Sequence, residues 1–149
     1  MHESIALIVK EPLSRIERAR RIADLIRETG QYRWAGIYDV GRENVSILAF
    51  SGTAAPAYPQ FPVAKGLTGS AIRAKKTVVA GDVRTDPRYL TAFSTTRSEI
   101  IIPVLDENTG SVMGTIDVES EQENAFSDKD QRRLEECAKA ARLLWLSIG

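Results

Sequence analysis

Two stretches of strand-forming residues, each doubled back on itself across a short polar loop, set the strongest limit on how this chain folds. Residues 33–40 and 44–51 flank Gly41-Arg42-Glu43, and residues 98–105 and 111–119 flank Asp106-Glu107-Asn108-Thr109-Gly110. Such runs, joined by a few residues that include glycine, read as β-hairpins. The chain ends carry a helical period instead. Val9, Leu13, Ile16, Ala19, Ala23 and Ile26 recur at steps of three and four and draw one apolar stripe. Pro12 starts or kinks that helix, and Gly30 supplies its stop. Ser127 and Asp130 form an S-x-x-D cap. Behind them Leu134, Cys137, Ala138, Ala141, Leu144, Trp145 and Ile148 make a second stripe, predicting a helix over 127–148.

Between the hairpins lie a Pro/Ala-rich loop at 52–62, a helical stretch at 67–76, a short strand at 77–80 and a turn at Asp86-Pro87. With no repeats and no low-complexity tract, 149 residues make one domain spanning 1–149. Its class is α+β: a central antiparallel β-sheet with long helices from both ends of the chain. Alternation along 111–119 puts Val112, Gly114, Ile116 and Val118 on one face and Met113, Thr115, Asp117 and Glu119 on the other. The neighbouring strand is apolar on both faces near its centre, so its acidic neighbours sit at a wet edge or inside a polar pocket.

Composition narrows function mainly by exclusion. A hydrophobic fraction of 43% with 27% charged residues excludes global disorder. Twenty basic side chains balance 20 acidic ones, so nothing pulls the domain toward nucleic acid or an anionic membrane. The apolar runs at 5–9 and 100–105 are far shorter than the roughly 20 residues of a membrane span. Glu3 and Lys10 spoil a secretory signal. A cytoplasmic protein is expected. The lone Cys137 excludes an intrachain disulfide and a cysteine zinc site. With His2 as the only histidine, His-activated nucleophiles and His-ligated metal or haem are excluded too. Neither metal nor cofactor is expected.

Six segments in a fixed order then suggest a family: Ala35-Gly36-Ile37-Tyr38, Lys65-Gly66-Leu67-Thr68-Gly69, the run from Asp82 to Tyr89, the run from Ser98 to Val104, Gly114-Thr115-Ile116-Asp117-Val118-Glu119, and the run from Phe126 to Asp130. Together they resemble the GAF domain family over nearly the whole chain. The resemblance implies terminal helices on one sheet face and, on the other, a ligand pocket closed by loops and the middle helix. Glu99, Asp117 and Glu119 would there offer carboxylates to a ligand bearing an amine. The alternative is a solvated face with ion pairs to Arg73 or Arg97. Trp34 and Tyr38 share a strand face and stack on a ligand or pack as core. Gly66 and Gly69 beside Thr68 either bare backbone N–H groups for an anion or make a tight turn.

Within the family, Arg97-Ser98-Glu99-Ile100 and the segment from Gly114 to Glu119 resemble the free methionine-(R)-sulfoxide reductases. There, the acids matching Glu99, Asp117 and Glu119 hold the substrate, the last being usually aspartate. Chemistry in that family uses cysteines, where this chain has Thr68 and the neighbourhood of Ala92. Neither a hydroxyl nor a methyl replaces a thiolate, and Cys137 falls on an apolar stripe. Cyclic-nucleotide binders carry Asn-Lys and Phe-x-x-x-Asp-Glu; here Phe126 and Asp130 fit, Gln131 replaces Glu, and Asn-Lys is missing. The thiol of bilin-binding members is missing as well. The expectation is a stand-alone sensory domain in signalling that binds a small polar ligand without catalysis. The alternatives are a ligand-free interaction or dimerisation module and a reductase relative. Expected partners are the ligand, a separate signalling protein, and a second copy docked through the terminal helices on Leu144, Trp145 and Ile148.

Overall fold

A computed structural model describes residues 1–91 and 93–146. Its elements are α1 (His2–Ile8), α2 (Arg15–Gly30), β1 (Trp34–Val40), β2 (Asn44–Ser51), β3 (Gln60–Pro62), α3 (Gly66–Ala74), β4 (Val78–Ala80), β5 (Ser98–Leu105), β6 (Val112–Ser120), α4 (Asp128–Ala140) and α5 (Leu143–Leu146). The strands form one six-stranded sheet in the order β3-β2-β1-β6-β5-β4, antiparallel at every pairing. Both hairpins lie where the sequence puts them, and the first and last β-hairpin strands meet at the centre as β1 and β6.

One face of the sheet is dry. Ala35 and Ile37 of β1, Ile116 and Val118 of β6, and Ile100, Ile102 and Val104 of β5 pack against the helices from both ends of the chain. From the helices come Ile22 and Ile26 of α2, Leu134 and Cys137 of α4, and Leu144 of α5. Burial of this apolar set is the main favourable term in the fold.

Several local expectations change in three dimensions. The N-terminal stripe is cut at Pro12, whose ring cannot continue a helix. Ile5 and Val9 enter the core from α1 and its C-cap, and α2 starts afresh at an N-cap where Ser14 Oγ accepts from the Glu17 N–H at 3.1 Å. Ile16 is 60% exposed; the buried stripe runs Ala19, Ile22, Ala23, Ile26. The left-handed residue that ends α2 is Gln31, at φ 55°, rather than Gly30, where a Cβ would overlap the Tyr32 ring. The C-terminal helix divides into α4 and α5. The capping box of Ser127 and Asp130 is present as read. Leu144 is wholly buried in the chain's own core and so unavailable as a dimer anchor, Trp145 fills the space left by the missing side chain of Gly114, and Ile148 lies outside the described residues.

Two strand details also differ. β3 lies inside the Pro/Ala-rich loop, a three-residue edge strand with no alternation to announce it. Met113 does not share a face with Asp117. The ladder steps from Val104–Gly114 to Leu105–Val112, so Met113 is the extra residue of a bulge and packs toward the helix side. Among the described residues no helix is long and apolar enough to cross a membrane.

The shifted stripe gives a direct test. Ile22→Ala should cost about 2–5 kcal/mol of unfolding free energy, whereas Ile16→Ala should stay within about 0.5 kcal/mol of the parent. Urea denaturation of both variants measures the difference.

Candidate functional site

The opposite face of the sheet is built from rows that the register defines. Trp34, Glu119 and Glu99 lie side by side across β1, β6 and β5; Gly36, Asp117 and Ile101 form the next row; Tyr38, Thr115 and Pro103 the third. Alternation thus delivers all three acids to one face. None reaches bulk water: Glu99 is 5% exposed, Asp117 6% and Glu119 0%. Charged side chains are almost never buried like this unless paired.

α3 and two loops form the cover. The space beneath it is lined by Tyr38, Tyr58, Phe61, Leu67, Thr68, Leu90, Glu99 and Asp117, and measures about 30 Å³, room for one or two water molecules. An aromatic wall stands beside the acids. The Trp34 ring stacks on Phe50 at 6.1 Å between centroids and meets Phe93 edge-on at 5.4 Å, while Tyr38 meets Phe61 edge-on at 5.9 Å. Trp34 Nε1 donates to the Ala54 carbonyl at 3.0 Å. Gly36 makes this wall possible, because a Cβ there would overlap the Trp34 ring. At the start of α3, a Cβ on Gly69 would press on the Ala64 carbonyl, and Gly66 sits at φ +73°. These close approaches support the tight-turn reading of Gly66 and Gly69.

The electrostatics follow from burial without a directly paired cation among the described residues. Loss of hydration pushes the Glu99 and Asp117 carboxyls well above the usual range, and repulsion from the neighbouring acids adds to it. Glu119 is also raised by burial, but Thr96 Oγ donates to its Oε1 at 2.8 Å and the Arg33 charge opposes the shift. Asp117 Oδ1 and Glu119 Oε2 are buried with no hydrogen-bond partner among the described residues. Burial and the three acids together raise the Tyr38 hydroxyl, so it stays neutral. Neither arginine considered from sequence pairs with the acids. Arg73 donates to the Ala64 carbonyl at 3.1 Å, and Arg97 to the Thr96 carbonyl at 3.1 Å. The solvated-face alternative is therefore corrected.

The three acids present oxygens that all lie within 4.8 Å of one another. Such a set suits an ammonium group or a hard, oxygen-seeking cation; in its protonated form it donates hydrogen bonds. Thr68 lines the cavity where a cysteine was sought, and Ala92 lies outside the described residues. Cys137 is remote. It sits in the helix-side core, its Sγ 3.3 Å from Met1 Sδ, and burial pushes its thiol up to about 11. All six residues singled out from sequence (Glu99, Asp117, Glu119, Thr68, Trp34 and Tyr38) do gather on this face. The covering residues Tyr58, Phe61, Tyr89, Leu90, Phe93 and Thr96 were missed. Tyr89 closes one of the segments that carry the family resemblance; of the rest, Tyr58, Phe61, Leu90 and Phe93 are marked only as large side chains in otherwise small or polar loops, and Thr96 not at all.

Comparison with known proteins fits this architecture. A GAF domain family model matches residues 13–144. The free methionine-R-sulfoxide reductase of Saccharomyces cerevisiae is 35% identical over 71% of this chain, a match spanning 59% of that protein, less than two thirds of its length. The solved type II free methionine-R-sulfoxide reductase of Thermoplasma acidophilum superposes with a TM-score of 0.79 at 29% identity, covering 88% of this chain and 95% of that one. The reductase of Neisseria meningitidis, solved with its substrate, gives a TM-score of 0.87 at 26% identity, covering 97% and 86%. These likenesses overturn the expectation of a sensor or interaction module without catalysis, since proteins this similar bear the names of enzymes. That expectation rested on the missing cysteines and on a single histidine.

The buried acids predict how stability depends on pH. A carboxyl with a raised folded pKa keeps its proton longer in the native state, so ionisation favours unfolding. The contribution of these three groups is most favourable below about pH 4, the unfolded carboxyl value, and is lost as pH climbs through the raised folded values. Glu99→Gln should flatten this dependence and raise the melting temperature at pH 8 above the parent's, as read by calorimetry across pH 4–9.

Proposed function

The chain belongs to the GAF domain family, and from that premise we propose that it reduces free methionine-R-sulfoxide at the carboxylate site, with electrons from a thiol outside the chain. The observation that carries this reading is the triad of Glu99, Asp117 and Glu119, buried together without an ion-pairing cation among the described residues. A free amino acid brings the missing charge in its ammonium group, and neutralises acids that otherwise stay protonated. The reductase names of the similar proteins from Saccharomyces cerevisiae, Thermoplasma acidophilum and Neisseria meningitidis support the choice of substrate.

With the ammonium on the acids, the side chain of the substrate points along the cavity toward Tyr38, Phe61 and Leu67. Methylene and S-methyl groups gain apolar and sulfur–aromatic contact there. Tyr38, held neutral, offers an O–H donor to the sulfoxide oxygen. A thiolate from solution attacks the sulfur while the S–O bond breaks, and the oxygen leaves as water with two protons. A second thiol then attacks the first thiol's sulfur, which releases methionine and a disulfide. Two thiols and one sulfoxide thus give one sulfide, one disulfide and one water. Cys137 takes no part, because it is buried behind the sheet and its raised pKa leaves it as the unreactive thiol. Thr68 lines the site without reacting. The cavity of about 30 Å³ is too small for an amino acid, so the covering loops move aside on binding.

Turnover decides the matter. Incubated with racemic methionine sulfoxide and dithiothreitol, the protein should consume the R epimer and form methionine faster than dithiothreitol alone. Asp117→Asn should lower kcat/KM by about 10- to 150-fold, the value of a hydrogen bond to a charged group, while Cys137→Ser should leave the rate unchanged. Methionine formation no faster than the thiol control overturns the proposal, and loss of turnover in Cys137→Ser overturns the external-thiol step.

A further inference from the structure

An amino acid enters this site only when the cover opens, but the closed site already has the dimensions of something smaller. Its cavity of about 30 Å³, lined by Glu99 and Asp117, has room for one or two water-sized particles. One oxygen from each of Glu99, Asp117 and Glu119 lies within 4.8 Å of the other two. Ligands on opposite sides of one calcium ion stand roughly 4.6–5.2 Å apart, twice the usual Ca–O length, so a single ion can touch all three. Lack of cysteine and histidine ligands is no obstacle, because a hard cation takes oxygen.

A second observation separates this cluster from ordinary surface acids. Asp117 is 6% exposed and Glu119 0%, and Asp117 Oδ1 and Glu119 Oε2 are buried with no hydrogen-bond partner among the described residues. A buried acceptor without a donor is costly, and a cation supplies what both oxygens lack. Tyr38 and Thr68, which bear hydroxyls, line the same cavity. With the second carboxylate oxygens and a water they make up the six to eight oxygens that calcium takes. Magnesium fits less well, since it holds to shorter, octahedral bonds and keeps several waters, for which the cavity has no room.

We propose that the three acids form a calcium site in the closed protein, and that calcium and the amino-acid substrate exclude each other there. The exclusion rests on the reading of the triad as the ammonium site, whereas the calcium site stands on the oxygens alone. Calcium occupies the triad without moving the cover, so the ion holds the protein in its closed, unreactive form.

Titration of chelator-treated protein with calcium chloride at pH 8, followed by calorimetry, tests the site. One ion per chain should bind and raise the melting temperature, and magnesium chloride should bind about tenfold more weakly or worse. Asp117→Asn and Glu99→Gln, each checked for native circular dichroism, should weaken calcium by about tenfold or more, since even the loss of a group supporting a metal ligand costs that much. No binding by the parent, or binding that both variants keep, overturns the site; equal affinity for magnesium overturns the choice of ion. In the turnover assay calcium should raise KM for methionine sulfoxide and leave kcat unchanged. A fall in kcat at constant KM overturns the exclusion. A parent that binds calcium but never turns over methionine sulfoxide is a different result: it upholds the calcium site and overturns the proposed reaction, and the exclusion with it.

Discussion

Glu99 and Glu119 face each other across β5 and β6, with Asp117 two residues along the same face, and none of the three has a cation paired to it among the described residues. Such an arrangement is unfavourable on its own terms, and much of the surrounding structure can be understood as what makes it tolerable. The opposite face of the same strands supplies the compensating energy. Ile100, Ile102, Ile116 and Val118 are buried against helices from both chain termini. The period of two that sends the acids to one side sends these apolar residues to the other. Proton retention does the rest, since a protonated carboxyl is a neutral hydrogen-bonding group. The site therefore trades stability for a local demand for positive charge, the kind of local conflict expected at functional positions.

Much of this was legible in the chain because it is local. Hairpin loops fixed β2 and β5 to the residue, a capping box fixed the start of α4, and alternation alone put Thr115, Asp117 and Glu119 on one face. The failures are tertiary. Ile16 belongs to the helical stripe by spacing, yet α2 begins beyond Pro12 and turns that side chain to solvent. Met113 follows the alternation until a bulge removes it. β3 holds three residues with no pattern of their own. The cover of the site is the clearest case. Tyr58, Phe61, Leu90 and Phe93 come from loops whose path depends on the sheet beneath them, so no periodicity could announce their meeting.

The expectation of a chain without catalysis failed for a different reason. It treated nucleophile and binding site as one inseparable unit, and inferred from the absence of the first that nothing reacts in the second. Binding and reduction are separable tasks. In the proposed reaction, holding the substrate requires charge complementarity and a closed apolar wall, which Glu99, Asp117, Glu119, Trp34 and Tyr38 would provide. Electrons would then come from whichever thiol reaches the sulfur, and burial of Cys137 behind the sheet removes only one source.

The segment over the site is tied down by the very groups a ligand would use. Thr96 donates to Glu119, and Phe93 lies between Trp34 and the Arg33 guanidinium. An amino acid that places its ammonium on the acids would compete with the Thr96 tie, so opening and binding draw on the same interaction. Closure after binding would restore the aromatic contacts around a neutralised site, now with the substrate's charges in place of retained protons.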